Sequence, residues 1–238
     1  MTNELATLED MDLSEVQGLF DVGDNIKGIT GRIPQVKIIH QAQMFSNQDG
    51  TQKFEKFTGI IVHHTAVNAF WANSFDETGG GTLPTCSSMD GEAPNVAEPQ
   101  SKYCYDCPQN QWGSAGKGKA CKNSWRLHIL PEEGTLPKRM TVPPALIGAV
   151  QDFFISLVDM KVPHELAVVE FTLAKTKNKD GIEYSMIRFK VKGVITQRQR
   201  ALQIKKLKEQ FANAFGEGID SREMANSTDM QENTKVEF

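Results

Sequence analysis

The sequence predicts a mainly β fold with a few helices (α+β), and three features carry this prediction. Stretches of β-branched or alternating apolar residues, which are typical of strands, recur along the chain. One stretch repeats its apolar residues at helical spacing, and an Asp-Gly turn farther along joins two more strands into a hairpin. Three strands, a helix and a closing hairpin form the connectivity of the OB-fold, a five-stranded Greek-key barrel.

Apolar alternation predicts the first three strands. Residues 33–45 alternate apolar and polar side chains, and residues 57–67 form a β-branched run. In the third strand, residues 125–130, the apolar side chains share one face, and Arg126 and His128 lie on the other. The segment between the second and third strands is rich in Gly and Pro, which excludes long regular elements there.

A helix and a hairpin complete the predicted barrel. Residues 142–160 open with two prolines suited to a first helical turn and then repeat apolar residues along one helical face. The strands 166–176 and 182–195 flank Asp180-Gly181, a strong turn signal. A second helix is expected at about 197–214.

Charge is distributed unevenly along the chain. Residues 1–24 hold seven acidic residues and no Lys or Arg, and residues 217–238 hold six acids against two cations. The two ends carry −7 and −4 of a total charge of −4, which leaves the middle at about +7. A basic body between acidic ends is typical of a nucleic-acid binder, and acidic ends also serve simply as solubilising tails.

Every cysteine lies in the segment between the second and third strands, at Cys86, Cys104, Cys107 and Cys121. In a reducing compartment, clustered cysteines are metal ligands more often than disulfides. The inner C-x2-C pair can wrap one ion, and the two outer cysteines complete the tetrahedron that Zn²⁺ prefers. We therefore predict a structural zinc that orders this segment. His63 or His64 could replace Cys86, and an iron–sulfur cluster is a chemical alternative.

Aromatic and basic residues surround these cysteines. Proteins that bind single-stranded nucleic acid use this mixture, because cations follow the phosphates while bases stack on the rings. We predict contacts with the strand from Lys102, Tyr103, Tyr105, Trp112, Lys117, Lys119, Lys122 and Arg126. Trp125 shares a face with the apolar residues of its strand, so we expect it to pack in the barrel. The tyrosines and Trp112 could equally pack over the metal site.

A second basic surface is predicted on the last strand. Alternation places one aromatic and three cations on the face opposite the apolar residues, and one lysine of the adjoining hairpin turn joins them. These residues are Lys177, Tyr184, Arg188, Lys190 and Lys192. OB-folds commonly close this loop over oligonucleotides, although charged strand faces are often only solvated.

These features divide the chain into four parts. The predicted parts are an acidic flexible arm at 1–30, an OB-fold domain at 31–195 with a zinc-binding insertion at 72–124 between the second and third strands, a basic helix at 196–216 and an acidic disordered tail at 217–238. The chain opens without a signal peptide, and no apolar run approaches the ~18 residues that span a bilayer. We expect a cytoplasmic protein without membrane contact.

The segments YCYDCPQNQWGS and GKGKACKNSWRLHIL, between a strand containing NAFW and a helix opening VPPA, resemble a known family. They are similar to the zinc-bearing OB-fold proteins of bacteriophage replication modules, broadly like the helix-destabilising protein of T-even phages. The resemblance covers about residues 30–195. It implies that Cys86, Cys104, Cys107 and Cys121 hold the metal and that the groove binds single-stranded DNA. The T-even protein includes a histidine among its ligands, which keeps His64 as an alternative ligand.

The resemblance implies a protein that coats and protects single-stranded DNA in phage replication or recombination, in the cytoplasm of the host cell. Such chains often end in acidic residues and an aromatic residue that recruits partners. Phe238, after Glu237, is therefore a candidate contact for a phage polymerase, helicase or recombinase, although Lys235 makes this tail only mildly acidic.

Two other classes of function fit parts of the sequence. The zinc segment could instead dock on a replication, recombination or host-defence protein, with DNA binding incidental. An enzyme is the third class, since the two adjacent histidines at 63–64 could hold a metal and Asp90 or Glu92 could act as a base. No spaced set of histidines and carboxylates accompanies them, so we expect no catalysis.

Overall fold

The structure is a computed structural model, and it describes residues 33–73, 82–132, 134–177, 181 and 183–216. The predicted acidic arm at 1–30 and the predicted acidic tail with Phe238 lie outside these residues. No helix in the described ranges has both the length and the apolar character that a membrane crossing requires.

Nine strands in the described part of the chain form one curled, half-barrel sheet. In chain order they are β1 (Gln35–Ile39), β2 (Met44–Asn47), β3 (Lys53–Phe54), β4 (Lys56–Phe70), β5 (Cys86–Ser88), β6 (Lys122–Pro131), β7 (Lys138–Val142), β8 (Ala167–Lys177) and β9 (Glu183–Val194). Their order across the sheet is β3-β2-β1-β7-β6-β4-β8-β9, and β5 also pairs with β4. The mainly β class is therefore confirmed, with nine described strands where the sequence predicted five.

The long strand β4 organises the sheet. Its first residues pair with β8, its last residues pair with β5, and β6 runs antiparallel along most of its length. A bulge between Ile61 and His63 shifts the register with β6. Gly59 allows β4 and β6 to approach closely, because an added Cβ there would lie 2.7 Å from both Ile129 Cγ2 and the carbonyl oxygen of Leu130.

Two parts of the strand prediction were wrong. The predicted strand 33–45 is a hairpin of β1 and β2, which turns through Gln43 at a φ of 53°. The strands β3, β5 and β7 were not predicted, and β1 pairs with β7 in parallel. The other predicted strands, 57–67, 125–130, 166–176 and 182–195, correspond to β4, β6, β8 and β9.

Helices cover both faces of the sheet. Helix α1 (Ile147–Asp159) follows a 3-10 turn that contains the second predicted proline. It packs Val150, Phe153 and Leu157 into the main core, the cluster of buried side chains that includes Ile61, Leu127, Phe171 and Ile187. Helix α2 (Arg198–Gln210) and the short α3 (Ala212–Phe215) pack on the opposite face. The predicted carboxyl-terminal helix thus belongs to a second core.

That second core lies behind β4 and β6. Ile204 and Phe215 of the carboxyl-terminal helices are buried against Ile60, Val62 and Leu130. Burying such a side chain contributes about 1.5–3 kcal/mol. The two helices therefore protect the back of the sheet, and they also cover part of the face that carries Arg126 and His128.

Candidate nucleic-acid interface and cysteine cluster

Two strands flanking the end of β4 place the outer cysteines. Cys86 begins β5 opposite Phe70, and Cys121 immediately precedes β6, whose Lys122 pairs with Ala69. The chain between them is the central part of the predicted insertion 72–124. The regular elements in this part are β5 and one 3-10 turn at Pro108–Asn110. The predicted absence of long regular elements is confirmed for these residues.

Hydrogen bonds fold the inner cysteine loop around its backbone. The Cys104 amide donates to the Glu92 carbonyl at 2.8 Å, and the Cys121 amide donates to the Gln109 carbonyl at 2.8 Å. Asn110 donates from its side chain to the Cys104 carbonyl at 2.7 Å and from its backbone to the Cys107 carbonyl at 2.9 Å. These bonds hold both inner cysteines and the last cysteine in one compact loop.

The other three thiols lie near enough to Cys121 to affect its titration. Cys104, Cys107 and Cys121 are buried, Cys86 is half-buried, and all four are free. Burial, followed by the thiols of Cys104, Cys107 and Cys86, raises the pKa of Cys121 to about 12. As they are placed, no three His, Cys, Asp or Glu side chains in the described ranges converge closely enough to hold a metal ion.

Both candidate histidine ligands pack against aromatic rings. The His63 ring stacks on Phe215 with centroids 5.0 Å apart, and the His64 ring stacks on Trp125 with centroids 5.4 Å apart. His64 also lies 4.2 Å from the Phe154 ring. Burial lowers the pKa of each histidine, because it disfavours the charged ring. Trp125 packs against the main core, as predicted.

Large aromatic side chains remain exposed on the insertion. The side chains of Tyr105 and Trp112 are 72% and 78% exposed. Tyr103 stacks on Tyr105 with centroids 5.3 Å apart and ring planes 14° apart. The ammonium of Lys102 lies 5.1 Å from the centroid of the Tyr103 ring. Tyr105 and Trp112 therefore present most of their surface to solvent, and Tyr103 is 37% exposed.

A tight turn presents the remaining insertion lysines. Gly113 has a φ of 91°, which favours glycine, and its amide donates to the Gly118 carbonyl at 2.9 Å. Lys117 is exposed on this turn, and Lys119 is half-buried. Lys122 is half-buried at the start of β6, and burial lowers its pKa.

The prediction that Arg126 contacts DNA is wrong, because the residue is buried. Its side chain is fully buried, with Nη1 4.0 Å from Met89 Sδ. The adjacent His128 is also fully buried, with its ring centroid 4.4 Å from that of Phe215. The segment after β5 and the carboxyl-terminal helices cover this face of β6, so Arg126 is not accessible to a bound strand.

The second predicted surface lies on the outer face of β9. Arg188, Lys190 and Lys192 are exposed, while the residues between them point into the main core. Tyr184 is half-buried and packs partly against that core. The predicted core face of Ile187, Phe189 and Val191 is confirmed, whereas Tyr184 does not share the exposure predicted for it with the three cations.

Two acids lie within this basic surface. Glu170 Oε2 lies 3.9 Å from the ammonium groups of both Lys56 and Lys192. Glu183 lies 3.4 Å from the Lys177 ammonium. The charge of the surface is therefore partly neutralised, and Lys56 joins it. The sequence alone did not place Lys56 there, because its position depends on the β4–β8 register.

The two basic surfaces lie at opposite ends of β4. The insertion leaves from Phe70, whereas the hairpin surface adjoins Lys56, which pairs with Thr172. Because a β-strand rises about 3.3 Å per residue, the fifteen residues of β4 span up to about 50 Å. The sequence predicted two separate groups without giving their relative positions, and the structure places them toward opposite ends of one strand.

Asp90 has a structural position at the start of the insertion. One of its carboxylate oxygens accepts hydrogen bonds from the Glu92 and Ala93 amides and from the Ser88 hydroxyl. The amide hydrogen bonds lower the pKa of Asp90. The carboxylate therefore stabilises a turn in its ionised form.

No protein-family model matches the chain, and no curated protein or solved structure is significantly similar to it. A fold alone does not define a function. The function is therefore inferred from the chemistry of the two surfaces and the cysteine cluster.

Proposed function

We propose that this protein binds single-stranded DNA without sequence specificity and coats it during replication or recombination. The observation that carries the proposal is the exposure of Tyr105 and Trp112 beside lysines on the insertion. A large aromatic side chain left in water gains by stacking on a base, which is worth ~1–3 kcal/mol per base. Every base has a π face, so such stacking tolerates any sequence.

The connectivity of the sheet supports an OB-fold interpretation. In this proposal the five barrel strands are β4, β6, β7, β8 and β9, and α1 lies between the third and the fourth. The insertion then joins the first and second barrel strands, and the β8–β9 turn joins the fourth and fifth. OB-folds bind oligonucleotides through these two loops, and these two loops carry the two basic surfaces.

The cysteine cluster supports a structural zinc. The thiols of Cys86, Cys104, Cys107 and Cys121 are soft donors of the kind that Zn²⁺ and iron–sulfur clusters select, and the C-x2-C spacing is common in zinc sites. We propose that these four residues hold one Zn²⁺ and that the ion stabilises the exposed aromatic loop. The insertion has few aliphatic side chains of its own, so a bound metal would supply most of its folding free energy.

A direct test of the proposed function is fluorescence anisotropy with labelled oligonucleotides. The zinc-loaded protein is titrated into single-stranded oligo(dT) and into a duplex of equal length, each at two salt concentrations. We expect tight binding to the single strand that weakens steeply with salt, because each neutralised phosphate releases a counterion. Equal affinity for the duplex, or no binding, would contradict the proposal.

Charge variants separate the two surfaces in the same assay. Lys117→Ala with Lys119→Ala changes the insertion, and Lys190→Ala with Lys192→Ala changes β9. Each pair should reduce the salt slope by about 1–2 if its lysines contact phosphates. If a double substitution leaves the salt slope unchanged, those two lysines do not contact the bound DNA strand.

The biological setting is a proposal from the sequence resemblance. It places the protein in a phage replication or recombination system in the host cytoplasm. There Phe238 recruits a polymerase, helicase or recombinase to the coated strand.

A further inference from the structure

Helix α1 exposes apolar side chains beside acids. Its inner face is buried through Val150, Phe153 and Leu157, whereas Ile155 and Val158 on the outer face are 60% and 75% exposed. A pair of outward apolar residues on a helix that already packs in the core has no role in the core itself. Ile155 and Val158 are three residues apart, so they are neighbours on one helical face that a second protein surface can cover.

Acids and a methionine extend this outer face. Asp152 lies three residues before Ile155, Asp159 follows Val158, and Met160 at the end of the helix is 48% exposed. In the described part of the chain neither acid makes an ion pair. The outer face of α1 is therefore both apolar and negatively charged.

Helix α2 exposes the opposite combination. It buries Ile204 against the back of the sheet, and on its outer face Leu202 is 54% exposed. Arg198, Lys205 and Lys206 are exposed at helical spacings of three and four residues from that leucine. Among the described residues these three cations make no ion pair. Glu209, seven residues after Leu202, is exposed on the same face. The outer face of α2 is therefore apolar at its centre, with three cations and one acid around it.

The geometry points to a contact between two copies of this chain, in which the outer face of α1 on one copy packs against the outer face of α2 on the next. Both faces are exposed in the described part of the chain, so they are not packed against each other within it. The apolar residues Ile155, Val158 and Leu202 would meet at its centre. The acids of one helix would face the cations of the other, and this complementarity fixes the pairing.

Such a contact joins two different surfaces and is heterologous. Repetition of a heterologous contact that does not close into a ring produces an open array of copies. A few side chains on each helix bury less than the ~1,000 Å² of a stable interface, so the free protein should be monomeric. A bound DNA strand holds neighbouring copies together at high effective concentration, and the contact then forms. The inference thus rests on the proposed function and gives it cooperativity.

Cooperativity is measured by comparing two probes. One is an oligo(dT) of about 10 nucleotides, in the range that one OB-fold occupies, and the other is long poly(dT). The wild-type protein should bind the long probe at least tenfold more tightly per site than the short probe. Equal affinity per site for the two probes would overturn this inference and leave the proposed function intact. Absence of binding to both would overturn the proposed function and this inference together.

Charge reversal identifies the two faces. Asp152→Lys with Asp159→Lys should remove the preference for the long probe and leave affinity for the short probe unchanged. Lys205→Glu with Lys206→Glu should remove the same preference. The chain that carries all four changes restores opposite charges across the contact and should regain cooperativity.

The variant with all four substitutions distinguishes a contact between proteins from a contact with DNA. If α2 instead contacts phosphates of the DNA, Lys205→Glu with Lys206→Glu will weaken binding to the short probe. The two aspartate-to-lysine changes on α1 will then not restore that binding. That result overturns the inference. Thermal unfolding of each variant is measured alongside, and midpoints equal to wild type establish that the exposed changes leave the fold intact.

Discussion

The ammonium group of Lys119 lies 5.9 Å from the centroid of the Trp112 ring. The same ammonium donates a hydrogen bond to Asn110 Oδ1 at 3.3 Å, and Asn110 also holds the cysteine loop through the Cys104 carbonyl. The position of the cation beside the exposed ring is thus coupled to the fold of the cysteine loop. If a base of a bound DNA strand stacks on Trp112, the Lys119 ammonium lies next to it and can bind a phosphate.

Replacement of Trp112 tests the stacking surface. Trp112→Ala should weaken binding to short oligo(dT) roughly 5- to 150-fold, because one stacked base is worth ~1–3 kcal/mol. Anisotropy titration at fixed salt measures the change. Trp112→Phe is the matched control, since it keeps a stacking ring and should retain most of the affinity.

Intrinsic fluorescence provides a second measurement on the same residue. The other tryptophans, Trp71 and Trp125, are half-buried, and Trp125 is packed against His64. Quenching on strand binding should therefore come from Trp112 and should vanish in Trp112→Phe. Quenching that persists in this variant would place the bound bases elsewhere.

Metal removal tests the cysteine cluster. The purified protein should contain one zinc per chain by elemental analysis. Cys107→Ala should lose the metal, make the insertion sensitive to protease and weaken strand binding, because the aromatic loop loses its support. His64→Gln is the control and should keep the zinc, since the His64 ring packs on Trp125. Loss of zinc from His64→Gln with retention in Cys86→Ala would show that the histidine is the fourth ligand.

The sequence predicted those parts of the fold that depend on local pattern. Alternation in β6 and β9 identified both strands and their core faces, and the apolar spacing of 142–160 identified α1. It missed β7 and the turn within 33–45, because short strands give few alternating positions. The parallel pairing of β1 with β7 is a long-range contact that no local pattern encodes.

The candidate site was predictable to the same extent. Residue types identified the cysteine cluster and the cationic and aromatic loop around it. Alternation also placed Arg126 away from the main core, but it could not show that Met89 and the last helices cover that face. The separation of the two basic surfaces along β4 depends on the pairing of Lys56 with Thr172, which only the structure gives.

Removal of Glu170 tests the β9 surface. Its carboxylate lies 3.9 Å from the ammonium groups of Lys56 and Lys192 and competes with a phosphate for both. Glu170→Gln should tighten binding to short oligo(dT) roughly two- to tenfold at low salt, since each exposed pair is worth ~0.2–1 kcal/mol. Glu209→Gln, on an exposed position of α2, is the control and should change little. If Glu170→Gln changes neither the affinity nor the salt slope, the bound DNA strand does not run along β9.

Deletion of residues 229–238 tests recruitment by Phe238. Affinity for oligo(dT) should stay within about twofold, because the deleted residues hold two acids and one lysine besides Glu237 and contribute little net charge. Stimulation of a partner polymerase or helicase on coated template should be lost. Phe238→Ala in the full chain is the sharper variant, and full stimulation by it would exclude the terminal ring as the contact.

The buried histidines predict a loss of stability in acid. Burial, reinforced by His63, Arg139 and Arg126, lowers the pKa of His128 to about 2, far below its ordinary value of 6.5. Below pH 6.5 the histidine is therefore protonated in the unfolded chain but stays neutral in the folded chain. The stability that this histidine contributes is complete above pH 6.5 and is lost as pH falls toward 2, by about 2 kcal/mol at pH 5.

Urea unfolding at pH 7.5 and pH 5.0 measures this loss. This window lies above the ordinary pKa values of the carboxyls, so acids such as Glu165 contribute little to the difference. Burial also lowers the pKa of His164 to about 4, which adds to the loss with the same sign. His128→Leu should reduce the difference between the two pH values by about 2 kcal/mol. An unchanged difference in His128→Leu would mean that the histidine titrates normally and that its face of β6 is open to water.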